Sequence, residues 1–217
     1  MSKSHRTTRI LATLAGVTAA AMMFAGCASG GGGTETPSAG PDASATIVVG
    51  SQNEPTNLDQ IFGGSSGVTE VFTGNVYEGL FRITDDATVE PLLAAETEVS
   101  DDGLVYTFKL RDAKFHSGAP LTAEAVKYSL ERFISEDSIA ARKRQLSVID
   151  TVDVVDDSTV KVTLKNKSIS FPYNLGYVWI VNPDAGDLTT AADGTGPYKL
   201  GDYRKGDSIT LDVNADY

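Results

Sequence analysis

The chain has 217 residues and carries 18 basic against 29 acidic side chains, a formal net charge of −11, so its surface repels phosphate backbones and nucleic acid is excluded as a partner. A hydrophobic fraction of 41% supports a real core and excludes wholesale disorder. The single cysteine excludes an internal disulfide framework and any cysteine-based metal cluster.

The chain opens on a short basic head, residues 1–9 (MSKSHRTTR), followed by an uncharged apolar run over 10–26 (ILATLAGVTAAAMMFAG). A basic head, an apolar middle and small residues at the end predict a signal peptide over 1–26. Thr13, Gly16 and Thr18 soften the run, which argues against a permanent membrane span. Cys27 has three readings: a residue beside an ordinary cleavage site, part of a short anchor, or the acceptor of a diacylglyceryl thioether. Phe24-Ala25-Gly26-Cys27 resembles the bacterial lipobox, with phenylalanine where leucine is usual. Residues 28–45 (ASGGGGTETPSAGPDASA) hold no apolar side chain larger than proline and form a flexible tether. Leader, cysteine and tether together favour lipid attachment at Cys27, with 27–45 as the linker and 46–217 as the folded part. Two acyl chains on one residue supply the paired apolar signal that stable anchoring needs.

Residues 45–51 (ATIVVGS) are β-branched and predict a first strand, followed by a glycine–serine loop at Gly63-Gly64-Ser65-Ser66-Gly67. Val68, Val71, Phe72, Val76 and Leu80 stand at helical spacings, predicting a helix over about 67–80. Tyr106, Phe108 and Leu110 alternate with polar residues after a turn at Asp101-Asp102-Gly103; Val160, Val162 and Leu164 do the same after Asp156-Asp157-Ser158. Period two with one polar face predicts two half-buried antiparallel hairpins. Between them, Thr122 is a candidate N-cap, Glu124 suits the first turn, and Leu121 and Val126 have hydrophobic-staple spacing. Val126, Leu130, Phe133 and Ile134 supply the apolar stripe of that helix. Pro172 and Pro183 bracket a stretch holding Tyr177 and the only tryptophan, Trp179. A tight turn at 194–198 leads to a last strand pair turning at 205–207. The order of elements predicts an α+β (mixed α/β) fold with mostly antiparallel pairing.

Catalytic signatures are missing from the sequence. Past the leader the chain has one histidine, His116, read here as structural; a metal site would need further ligands beside it. No nucleophile elbow, zinc-protease helix or phosphate-binding loop occurs. The aspartate pairs at 101–102 and 156–157 sit where carboxylates serve turns. These observations predict no enzyme, no metal and no cofactor.

Residues 110–133 (LRDAKFHSGAPLTAEAVKYSLERF) resemble the signature region of the family 5 extracellular solute-binding proteins, the peptide-, dipeptide- and nickel-binding components of ABC importers. The matching residues are Leu110-Arg111, Lys114-Phe115, His116-Ser117-Gly118, Pro120, Thr122-Ala123 and Val126-Lys127-Tyr128-Ser129. Leu58-Asp59, Tyr77-Glu78-Gly79-Leu80, Pro91-Leu92-Leu93-Ala94, Gly194-Thr195-Gly196-Pro197-Tyr198 and Asn214-Ala215-Asp216-Tyr217 follow the family order as well.

The resemblance implies a periplasmic-binding-protein-like, two-lobed fold that closes on a ligand and presents it to a permease and ATPase. Family members are much longer, so the expectation is that 46–217 is the N-terminal portion of the first lobe. It also implies an oligopeptide or dipeptide ligand and a lipid-anchored location on the outer face of the bacterial cytoplasmic membrane. By the resemblance Gly63, Gly64, Ser65, Ser66 and Gly67 line the cleft, the alternative being a plain turn. Tyr177 and Trp179 form an apolar pocket wall or, alternatively, belong to the core. The family's charged anchors for peptide termini are expected largely in the second lobe. A secreted lipoprotein hydrolase, or a sensor or adhesin on the same scaffold, are the competing functions.

Overall fold

The computed structural model describes residues 45–55, 57–62 and 66–217. The expected signal peptide, Cys27 and the tether through residue 44 lie outside the described residues, as do Gly63, Gly64 and Ser65. All elements below belong to the unit Val48–Tyr217.

Among the described residues the order is α1 (Ser66–Phe72), β1 (Phe81–Ile83), β2 (Val89–Pro91), β3 (Ala94–Val99), β4 (Val105–Leu110), α2 (Ala123–Ile134), α3 (Lys143–Leu146), β5 (Ile149–Asp156), β6 (Thr159–Leu164), α4 (Phe171–Leu175), β7 (Tyr198–Arg204) and β8 (Ser208–Val213). Every strand pairing is antiparallel. β1 pairs with β2, β7 with β8, and a four-stranded sheet has the order β3-β4-β6-β5. This is the α+β class that the sequence predicts.

The central sheet follows from alternation. Tyr106, Phe108 and Leu110 of β4 and Val160, Val162 and Leu164 of β6 are all buried, while their neighbours are not. Register places Phe108 opposite Val160 and Tyr106 opposite Val162, so the apolar faces coincide. Each hairpin turn is held by an aspartate. Asp102 Oδ1 accepts from the Leu104 amide at 3.0 Å, and Asp156 Oδ1 from the Ser158 amide at 2.8 Å. α2 starts where its cap predicts: Thr122 Oγ1 accepts from the Ala125 amide at 3.3 Å. Its buried Val126, Leu130 and Phe133 pack the helix on β5 and β6, each burial stabilising by about 1.5–3 kcal/mol.

Two expectations are corrected. The β-branched run at 45–51 is not a strand; Ile47, Val48 and Val49 are more than 80% exposed. A strand requires a neighbour for its amides and carbonyls, and among the described residues no backbone hydrogen bond joins 45–51 to another segment. The helix expected over 67–80 ends at Phe72. Gly74 takes the left-handed conformation at φ 75°, and the chain turns there. Val76 and Leu80 are buried as their spacing suggested, but from non-helical backbone, and Tyr77 between them is buried as well.

Two apolar clusters result. The larger surrounds the four-stranded sheet, α2 and α4. The smaller gathers Leu58, Val68, Phe72, Val76, Tyr77, Trp179, Val181 and Leu188, with half-buried residues of β7 and β8 against it.

Candidate functional site

The motifs dispersed along the sequence converge around one buried carboxylate. Glu78 is 5% exposed; its Oε2 accepts from Thr195 Oγ1 at 2.8 Å and its Oε1 from Tyr217 Oη at 2.9 Å. The Glu78 carbonyl accepts from the Ile180 amide at 2.9 Å, joining this segment to the stretch after α4. Gly194 and Gly196 lie so close to the Val76 and Asn75 carbonyls that a Cβ at either would collide with backbone. His116 closes the assembly from the α2 side. Its amide donates to the Gly194 carbonyl at 2.8 Å, and its Nε2 lies 2.9 Å from the Gly196 carbonyl, which it serves as donor. His116 Nδ1 is buried without a partner, and loss of hydration holds the imidazole pKa below its ordinary value. Asp193 Oδ1 accepts from the Ser117 amide at 2.9 Å and its Oδ2 from Asn182 Nδ2 at 2.7 Å. His116 and Ser117 thus hold two segments together.

A second constellation forms beside this frame. Gln60 Nε2 donates to the Tyr177 carbonyl at 2.6 Å, and Gln60 Oε1 accepts from the Trp179 amide at 3.2 Å. One side chain therefore pins the segment at Gln60 to the stretch after α4. The Ile139 amide donates to the Ile61 carbonyl at 2.9 Å, which brings the segment after α2 to the same place. Arg142 directly precedes α3 there, its guanidinium carbon 3.7 Å from the Tyr177 ring centroid and 5.6 Å from that of Tyr173. The two tyrosines meet edge to face at 5.5 Å with their hydroxyls 3.0 Å apart. That hydrogen bond raises the Tyr177 pKa above its ordinary value, opposed by the charge of Arg142. Phe62 (44%) and Ile139 (68%) are exposed here, so the face combines apolar surface, phenols and a guanidinium.

Below this face lies the ion pair of Arg132 with Asp59, whose Oδ1 also accepts from the Ile61 amide at 3.1 Å. Asp59, Arg132, Tyr77 and Trp179 line a cavity of about 10 Å³, room for about one water and too small for a solute.

Of the residues expected at a cleft, Gly63, Gly64 and Ser65 lie outside the described residues, and Ser66 is the first residue of α1. Gly67 packs against chain: a Cβ there would collide with the Asn53 carbonyl. Tyr177 is half-buried on the face described above. Trp179 is 4% exposed, stacks on Tyr77 at 4.7 Å and donates from Nε1 to Thr73 Oγ1 at 3.0 Å, so it backs the face from the core. Gln60, Arg142 and Tyr173 were not singled out from the sequence. Arg142 stands in the run ARKR and reads as a solvated charge; Tyr173 and Tyr177 share an (i, i+4) spacing that a helix at 171–175 would have revealed. Among the described residues no group of three His, Cys, Asp or Glu could hold a metal ion, and no helix is long and apolar enough to cross a membrane.

Comparison with known proteins identifies the family. Residues 88–217 match the family described as bacterial extracellular solute-binding proteins, family 5 Middle. The chain is similar to the glutathione-binding protein GsiB of Pectobacterium atrosepticum, 33% identical over 181 residues, 80% of this chain and 35% of that protein. Its fold is similar to that of the binding protein AgaA from A. tumefaciens R10 in complex with agropinic acid, with TM-score 0.67 and 34% identity over 76% of this chain and 35% of that one. It is also similar to the oligopeptide-binding protein AppA of Bacillus subtilis in complex with a nonapeptide, with TM-score 0.69 and 26% identity over 77% of this chain and 36% of the other. The chain spans about a third of the length of these relatives. With the match extending over more than half of its residues, the chain belongs to family 5 of the bacterial extracellular solute-binding proteins.

Proposed function

We propose that this chain carries part of the solute-binding component of an ABC importer, that its solutes are oligopeptides or dipeptides, and that it binds them without catalysis. The family match over 88–217 carries the reading. The ligands of its relatives support the solute class. Glutathione is a tripeptide, and AppA holds a nonapeptide. In this proposal Tyr177 contacts solute on the open face, Trp179 supports it from behind, and Gly63, Gly64, Ser65, Ser66 and Gly67 border the same cleft. Cys27 is the lipid attachment point, and the tether holds the binding domain outside the cytoplasmic membrane beside its permease and ATPase.

The test uses the full-length polypeptide. A pool of free tripeptides with glutathione should raise its melting temperature in a dose-dependent way, since a ligand that binds only the folded state stabilises it. No shift with any peptide would overturn the solute class. For the anchor, wild type should partition with membranes and Cys27→Ala should be released after processing. A processed Cys27→Ala form that stays membrane-bound would refute lipid attachment.

A further inference from the structure

Two arginines are half-buried among the described residues, and their situations differ. Arg132 is neutralised by Asp59. Arg142 forms no ion pair with any described carboxylate. A guanidinium partly stripped of water and left without a counter-charge is one that an incoming anion satisfies.

Arg142 is held in place. Its guanidinium carbon lies 3.7 Å from the Tyr177 ring centroid, and its Nη1 donates to Asn174 Oδ1 at 3.3 Å. Asn174 is itself buried and oriented, because its Nδ2 donates to the Ser170 carbonyl at 2.9 Å. The Tyr173 and Tyr177 hydroxyls lock each other at 3.0 Å. A guanidinium seated over an aromatic ring can still offer N–H groups along its edge to other acceptors. Of its five donors, one goes to Asn174 and another reaches the Tyr177 hydroxyl, which leaves N–H groups for an incoming acceptor. A planar, pre-oriented fork of that kind matches the two oxygens of a carboxylate. Among the described residues no carboxylate forms an ion pair with it, although the chain is strongly acidic overall.

We propose that Arg142, seated on Tyr173 and Tyr177, binds a free carboxylate of the solute, so that this part of the protein supplies its own anionic-terminus anchor. The proposal rests on the peptide-binding reading above and narrows its substrate class to solutes with a free terminal carboxylate.

The experiment compares two pools of tripeptides lacking Asp and Glu, one with free C-termini and one C-terminally amidated, by equilibrium dialysis against the full-length protein. The free-acid pool should bind roughly tenfold or more tightly than the amidated pool, the scale of a charge-assisted hydrogen bond pair. Arg142→Gln should erase that ratio while the protein still unfolds in one cooperative transition. Arg142→Lys, which keeps the charge and loses the fork, should keep part of it. Equal affinity for the two pools in the wild type overturns the anchor and leaves the peptide reading standing. Retention of the preference in Arg142→Gln also overturns the anchor. Binding of neither pool overturns the peptide reading and the anchor together.

Discussion

Replacing Arg132 with methionine would remove the counter-charge from a carboxylate that is almost wholly buried. The Asp59 side chain is 3% exposed and that of Arg132 17%, so neither charge is well solvated in the folded state. Methionine keeps most of the aliphatic stem, which confines the loss chiefly to the guanidinium. Breaking one half of a buried ion pair costs about 3–5 kcal/mol. The hydrogen bond that Asp59 Oδ1 accepts from the Ile61 amide survives, which places the expected cost near the low end, about 3 kcal/mol. Asp59→Asn added to Arg132→Met removes the stranded charge while keeping an acceptor for Ile61, and should recover about 1 kcal/mol or more. The assay is urea unfolding at pH 7, with the change read from the midpoint at constant m-value. A cost below about 1 kcal/mol for Arg132→Met, as for a surface pair, would refute the reasoning. So would a double variant no more stable than the single one. The consequence extends to the site, because Asp59 precedes the Gln60 side chain that pins Tyr177.

His116 sets a pH dependence. Burial lowers its pKa below 6.5, so the unfolded chain binds the proton more readily; its contribution is complete above about pH 6.5 and declines as pH falls toward the folded-state value. Asp193 and Glu78 face it with negative charge and Lys199 with positive charge, and none reverses that direction. Melting temperature should therefore drop between pH 7 and 5 more steeply in the wild type than in His116→Gln; identical slopes would refute the role. Gly196→Ala should destabilise by about 2 kcal/mol or more, because the added Cβ meets the Asn75 carbonyl, whereas Gly50→Ala, in open space, should stay within about 0.5 kcal/mol. Similar melting temperatures for the two variants would count against the close approach.

Elements whose determinants are local were legible. Thr122, the apolar stripe of α2 and the aspartate-held hairpin turns act within a few residues, and each stands where the pattern places it. The run at 45–51 shows the limit of such reading: β-branched residues favour extended chain, but a strand exists only where a neighbour takes its hydrogen bonds. The spacing over 67–80 correctly marked buried residues and failed on conformation, since Gly74 turns the chain before the period is used up. At the candidate site Tyr177 was legible as an aromatic in a proline-bounded stretch, while Arg142 was not, because a charge in a basic run carries no mark of what it will lie against.

By itself, the sequence determined the α+β class, the two hairpins, the capped helix α2 and the family, because period, caps, turn residues and motif order are written along the chain. Tertiary structure alone decided that Glu78, Thr195 and Tyr217 share one hydrogen-bonded cluster, that Asp59 neutralises Arg132, and that Arg142 rests on Tyr177 without an acid partner among the described residues. Those pairings join residues up to 139 positions apart, and charge compensation between such distant positions is settled only when packing brings them together and takes them out of water.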